Sequence, residues 1–336
     1  MRFPPLRVRM VALHLERRAI PGHLLRLPRH LVSEKENAVT GHHGHWCLRC
    51  GCSDHGGPAG DLGRAVPLFE QTLSDTVRVL GKDHPDTLTA RNNLACAYES
   101  AGDLGRAVRL FEQTLSDTAR VLGKDHPDTL TARNNLACAY ESAGDLGRAV
   151  PLFEQTLSDT ARVLGKDHPD TLTARNNLAS AYESAGDLGR AVPLFEQTLS
   201  DTARVLGKDH PDTLTARNNL AYAHQSAGDL ARAIPLYEQT ANARAQLLGE
   251  DHPSTLTTRN NLAYAYQSAG DLSRAISLFE QTLSDAVRVL GDNHRLTQAV
   301  RCAHLAARAL KAVEAATMRG TCTSARGRCV SHGDSC

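Results

Sequence analysis

Aromatic side chains are nearly missing from this chain. They make up 4% of its 336 residues, with a single Trp and six Phe. Large aromatics dominate the cores of most compact domains, so small and aliphatic side chains must fill the interior here. No apolar run reaches the length of about 18 residues that a membrane-spanning helix needs, so no membrane partner is expected. Net charge is only +1, which excludes a strongly basic nucleic-acid binder. The chain is still 41% hydrophobic with a mean hydropathy of −0.35, enough apolar surface to exclude wholesale disorder.

Charge is spread unevenly. Residues 1–33 hold seven Arg and one Glu, residues 301–336 hold six basic and two acidic residues, and 61–292 sum to −9. The first residues offer no export signal, because Met10-Val11-Ala12-Leu13 is cut by His14 and followed by Glu16-Arg17-Arg18. The expected location is the cytoplasm. Nine cysteines, an odd number, with no compact framework of paired spacings fit that expectation.

What the chain has in abundance is itself. Asp103–Gly144 and Asp145–Gly186 differ at two of 42 positions, Arg109 against Pro151 and Cys138 against Ser180. Arg-Asn-Asn-Leu-Ala begins at Arg91, Arg133, Arg175, Arg217 and Arg259, and Gly-Asp-Leu recurs from Gly60 to Gly270. A period this strict means a stacked array of supersecondary units.

Each unit reads as two helices. The first spans about Thr87–Ala101, with Asp86 as the expected N-cap after Pro85 and Gly102 as the stop. The second spans about Leu104–Leu122 between Asp103 and Gly123. Its Leu104, Ala107, Val108, Leu110, Phe111, Leu115, Ala119 and Leu122 recur at three and four, the period of an amphipathic helix. The fold class expected is all-α, a right-handed solenoid of stacked antiparallel helix pairs.

The spacing of Leu94-Ala95, Tyr98, Gly102, Ala107 and Phe111 resembles the tetratricopeptide repeat. The 42-residue length, the Asn-Asn-Leu-Ala string and the Gly-Lys-Asp-His-Pro linker are similar to the kinesin light chain subtype, also common in bacteria and actinobacteria in particular. The resemblance covers residues 61–291. It departs at Arg91, where the subtype usually has Leu, and at Thr114, where Ala is common. It implies the solenoid fold and a habit of binding peptides; without the light chain's heptad region and motor-binding elements, it implies no transport role.

Four segments follow: a basic, Cys/His-rich, loosely ordered stretch 1–60; the array 61–291; a capping helix within 292–316; and a disordered tail 317–336. The array opens on a second helix, 61–81, with no first helix before it, which leaves a flank open to the chain's own Leu6–Ile20 or to a second copy. In the closing helix Leu296, Val300, Ala303, Ala307, Leu310 and Val313 mark an expected buried side, and Arg301, His304, Arg308 and Lys311 a solvated one.

Candidate chemistry is sparse. His42, His43, His45, Cys47, Cys50, Cys52 and His55 cluster, but Gly51 alone separates the two ligand pairs, too little chain to turn round one zinc ion. No metal or other cofactor is therefore expected. The linker histidines recur a whole repeat apart, so they read as caps or packing groups. No phosphate loop or G-x-S-x-G elbow occurs, and no enzyme is expected.

The polar stripe of the first helix is the binding candidate. Thr89, Asn92, Asn93, Cys96 and Glu99 fall on one face, opposite Leu88, Leu94, Ala95 and Tyr98. Stacking then makes a ladder of Asn92, Asn134, Asn176, Asn218 and Asn260, with Asn135, Asn177 and Asn219 beside it. An amide that donates and accepts at once serves either a peptide backbone or the neighbouring repeat. Selectivity must come from positions that differ between copies. Cys96 and Cys138 give way to Ser180, Tyr222 and Tyr264, and Glu99 to Gln225 and Gln267. Cys96 and Cys138 themselves stand on neighbouring helices roughly 9–10 Å apart, too far for a disulfide, and are read as free thiols. The function expected is a non-catalytic scaffold that holds an extended peptide or protein segment in its groove. The alternative is a sensor or regulatory arm of a signalling NTPase system, detached from its ATPase domain.

Overall fold

A computed structural model describes residues 59–329, and their side chains over 63–314. It contains twelve α-helices, and no strand among the described residues. In chain order these are α1 (Ala59–Leu80), α2 (Pro85–Ser100), α3 (Leu104–Val121), α4 (Pro127–Ser142), α5 (Leu146–Val163), α6 (Pro169–Ser184), α7 (Leu188–Val205), α8 (Pro211–Ser226), α9 (Leu230–Leu248), α10 (Pro253–Ser268), α11 (Leu272–Leu290) and α12 (Arg295–Cys329). Even-numbered helices are the first of a repeat and odd-numbered ones the second. The chain divides into two compact units inside α4, one holding Ala132 and the described residues before it, the other Arg133 and those after. Within each unit, helices consecutive in sequence pack on one another, and in the second unit α6, α8, α10 and α12 also meet in sequence as neighbouring first helices.

The helix boundaries follow from local chemistry. The N-cap of α2 is His84, not Asp86 as the side-chain preferences predict. Pro85 at the first helical position has no N–H to satisfy, and the His84 ring Nδ1 accepts the next N–H, that of Asp86, at 3.2 Å. The same cap recurs at His168, His210 and His252, so the repeated histidines serve helix initiation. Asp103 caps α3 as expected, accepting from the Arg106 N–H at 3.0 Å. Between the helices Gly102 takes φ +81°, a left-handed conformation that side chains with a Cβ rarely adopt.

The core is built as the composition requires. One aromatic ring in each of α3, α5, α7, α9 and α11 is fully buried, Phe111, Phe153, Phe195, Tyr237 and Phe279 in turn, and the remaining space is closed by alanines such as Ala95, Ala107, Ala179 and Ala191. Small side chains let the helices approach closely, which replaces bulk with backbone proximity.

The last helix differs from its sequence reading. Leu296, Val300, Ala303 and Ala307 are buried as expected, but Leu310 and Val313 are exposed at 47% and 61%, and His304, placed on the solvated side, is buried. The cover over α12 ends after Ala307 because no second helix follows among the described residues. The helix itself runs on to Cys329, through most of the segment 317–336 read as disordered. No proline interrupts it, and extending an existing helix costs far less than starting one. Residues 1–58 and 330–336, including the Cys47–His55 cluster and the expectations attached to them, lie outside the described residues.

Candidate functional site

The asparagine ladder is real, and its rungs are bonds between repeats. Within the second unit the Asn177 amide donates to the Asn134 carbonyl at 2.9 Å, and Asn219 donates to Asn176 at 3.1 Å. The offset is 43 residues, one more than the repeat, so the second Asn of each first helix reaches back to the first Asn of the helix before. Two turns further on, Ser184 Oγ donates to Glu141 and Ser226 Oγ to Glu183, each at 2.9 Å. Asn134, Asn135, Asn176, Asn177, Asn218, Asn219 and Asn260 are all buried, while Asn92 is half-buried.

The rungs stop between α8 and α10. There the carbonyl oxygens of Asn218, Asn260 and Gln267 are buried with no hydrogen-bond partner among the described residues. This is also where Tyr222 and Tyr264 stand, both half-buried. The Tyr264 ring meets Phe279 edge-on, with centroids 5.1 Å apart at 80°. Burial raises the pKa of both phenols. The Tyr237 hydroxyl is also buried, with no partner among the described residues, where the other repeats have Phe. Desolvation, opposed by the Ser226 bond, pushes Glu183 up to about 6.

Sequence reasoning missed the buried arginines. Arg91 donates to Asp117 at 2.7 Å, Arg133 to Asp159 at 2.6 Å and Arg175 to Asp201 at 2.6 Å, each joining the two helices of one repeat. The signal was present, since Arg and Asp recur 26 residues apart. In the fourth repeat Ala243 replaces the aspartate, and Arg217 turns to the Lys208 carbonyl instead. Arg91 had stood out as a departure from the resembled pattern; its partner explains the residue type.

The free-thiol reading holds for Cys138, which is buried, in no disulfide, and accepts from the Asn134 amide at 3.8 Å, and fails for Cys96, which is disulfide-bonded. Helix spacing excluded Cys138 as its partner but said nothing of the chain's other cysteines. A disulfide is at odds with the cytoplasmic expectation, because that compartment keeps most thiols reduced. Among the described residues no group of three or more His, Cys, Asp and Glu could hold a metal ion, and no helix is long and apolar enough to cross a membrane.

Family models described as tetratricopeptide repeat match residues 59–86, 87–128, 129–170 and 171–212, and again 200–246 and 212–286. The chain belongs to the tetratricopeptide-repeat family. Such arrays are generally non-catalytic scaffolds for protein interaction. Among solved structures it is similar to a kinesin-light-chain-like protein of Podosopora anserina built of nearly identical TPR-like repeats, at 35% identity and a TM-score of 0.52, over 61% of this chain and 97% of that one. It is also similar to BtubC (BKLC) from P. vanneervenii, at 24% identity and a TM-score of 0.57, over 68% and 92% of the two chains, a likeness of fold. No curated protein matches the chain.

Proposed function

We propose that this tetratricopeptide-repeat array is a scaffold that binds an extended peptide or protein segment along its first helices. The ligand's backbone engages the asparagine row where its carbonyls are unmet, at Asn218 and Asn260, and its side chains are selected at Tyr222 and Tyr264. One observation carries the reading: the buried carbonyls of Asn218, Asn260 and Gln267 lack donors where two tyrosines are gathered. An unmet buried acceptor costs about 1–3 kcal/mol, a cost that a ligand N–H recovers on binding. Tyrosine supplies a large contact at low entropic cost. Self-association through α1 is the second interaction the array offers.

The test is selection from a displayed library of random peptides, followed by titration of the winners. Tyr222→Ala with Tyr264→Ala should weaken the best ligand and flatten preference among ligands. Asn218→Leu with Asn260→Leu should weaken all ligands alike while leaving the melting temperature unchanged or higher, since orphaned acceptors are removed. A library that yields no binder, or variants that bind as the parent does, would overturn the proposal.

A further inference from the structure

Among the described residues the array begins and ends half a repeat out of phase. Its opening helix, α1, is a second helix, and no first helix stands before it among the described residues. Its closing helix, α12, is built as a first helix. His294 Nδ1 accepts the Leu296 N–H at 3.2 Å, the cap of that helix type, and Thr297 is fully buried like Thr171, Thr213 and Thr255 in the same register. No second helix follows it among the described residues. Among the described residues, the half absent before α1 is the half present as α12.

Both ends show the missing half in their exposure. Thr114, Thr156, Thr198, Thr240 and Thr282 are buried, whereas Thr72, in the same register of α1, is exposed. Ala107, Ala191 and Ala275 are fully buried, and the matching Ala65 is half-buried. On α12 the alanine of the other first helices (Ala95, Ala137, Ala179, Ala221, Ala263), always fully buried, is replaced by Leu305, which is 60% exposed. These registers are buried in the complete repeats, so they mark the faces that a complete repeat covers. The charge registers match as well. Arg301 occupies the position of Arg175, and Asp75 that of Asp201, the pair that bonds the two helices of a complete repeat. In the single chain Arg301 bonds the exposed Asp292, and Asp75 bonds Arg78 on its own helix.

We infer that the chain associates head to tail, α12 of one copy packing on α1 of the next so that the two complete one tetratricopeptide repeat. The occupant of each face is a second copy, because among the described residues each end carries the half-repeat that the other lacks, with Arg301 and Asp75 in the registers that pair within a complete repeat. The contact is heterologous. Each joined pair keeps one open end of each kind, so assembly continues beyond the dimer. This association is distinct from ligand capture by the first-helix face and uses none of the asparagine row.

Sedimentation velocity of the full chain over a range of concentrations should show a mean mass that climbs past the dimer. Thr72→Arg and Leu305→Arg alter exposed side chains at opposite ends, so both variants should melt like the dilute parent, and each alone should be monomeric. An equimolar mixture of the two should form a heterodimer and nothing larger, since one intact face remains on each partner. A parent that stays monomeric at every concentration, or a dimer that either variant alone still forms, would overturn the inference. So would a mixture that stays monomeric when both parent faces have been shown necessary. Peptide binding by the monomeric variants should be unaffected, which separates this association from the scaffold reading.

Discussion

Asn177 donates its side-chain amide to Asn134 across the junction of two repeats, at 2.9 Å, with both residues buried. The pairing is between unlike members of the repeated Asn-Asn string, so the Asn176-Asn177 pair serves two junctions. This accounts for two poor helix formers kept side by side in mid-helix. Their hydrogen bonds hold neighbouring first helices in register.

Removing one member should therefore cost stability before anything else. Asn177→Ala takes the donor from a buried carbonyl, and a loss of about 1–3 kcal/mol is expected. A double-mutant cycle with Asn134→Ala, read by urea denaturation, should show coupling on the order of 1 kcal/mol. Additive losses would mean that the rung contributes nothing of its own.

The Arg175–Asp201 pair makes a prediction in pH. Burial raises the Asp201 pKa, but hydrogen bonds from Arg175 and Arg204 outweigh it and hold the carboxyl below its ordinary value. A carboxylate held low in the folded state stabilises the fold above its unfolded pKa, and the contribution disappears as pH falls through the folded value. Arg175→Met leaves Asp201 without its inter-helix partner, and a loss on the order of 3 kcal/mol is expected at neutral pH. The gap between variant and parent should close in strong acid. Urea midpoints of both proteins across pH would show it, and a gap independent of pH would rule out the charge pair as the cause.

Glu183 should behave in the opposite sense. Its pKa is raised from 4.5 to about 6, chiefly by burial, so the folded chain holds the proton more tightly than the unfolded one. Stability from this site is greatest below pH 4.5 and declines as pH rises to about 6. Glu183→Gln keeps an acceptor for Ser226 and removes the buried charge. It should raise stability at neutral pH by about 1 kcal/mol and leave it nearly unchanged in acid. Thermal melts at both pH values decide the matter; a variant less stable than the parent at neutral pH would refute it.

Much of the fold was legible in the sequence, because the information is local. The glycines at φ +81° and +97° after α2 and α3, the Asp103 cap and the period of 42 all act within one repeat or less. A helix pair that recurs five times has few ways to bury its apolar stripes except by stacking. Even the misjudged cap, His84 for Asp86, shifted the helix start by only two residues, since proline fixes φ at the same point.

What the sequence could not settle was which polar group meets which. The Asn-Asn string was compatible with a ligand or a neighbour, and only the placement of one first helix beside the next brings Asn177 within reach of Asn134. Arg91 and Asp117 look unrelated along the chain, yet antiparallel packing brings them to 2.7 Å. Leu310 and Val313, which the helical period places on the buried side, are exposed because no helix stands over them among the described residues. Periodicity depends on backbone geometry within a segment and can be read from its residues alone. Hydrogen-bond partners and exposure depend on distances between segments, and those come into being only when the helices have packed.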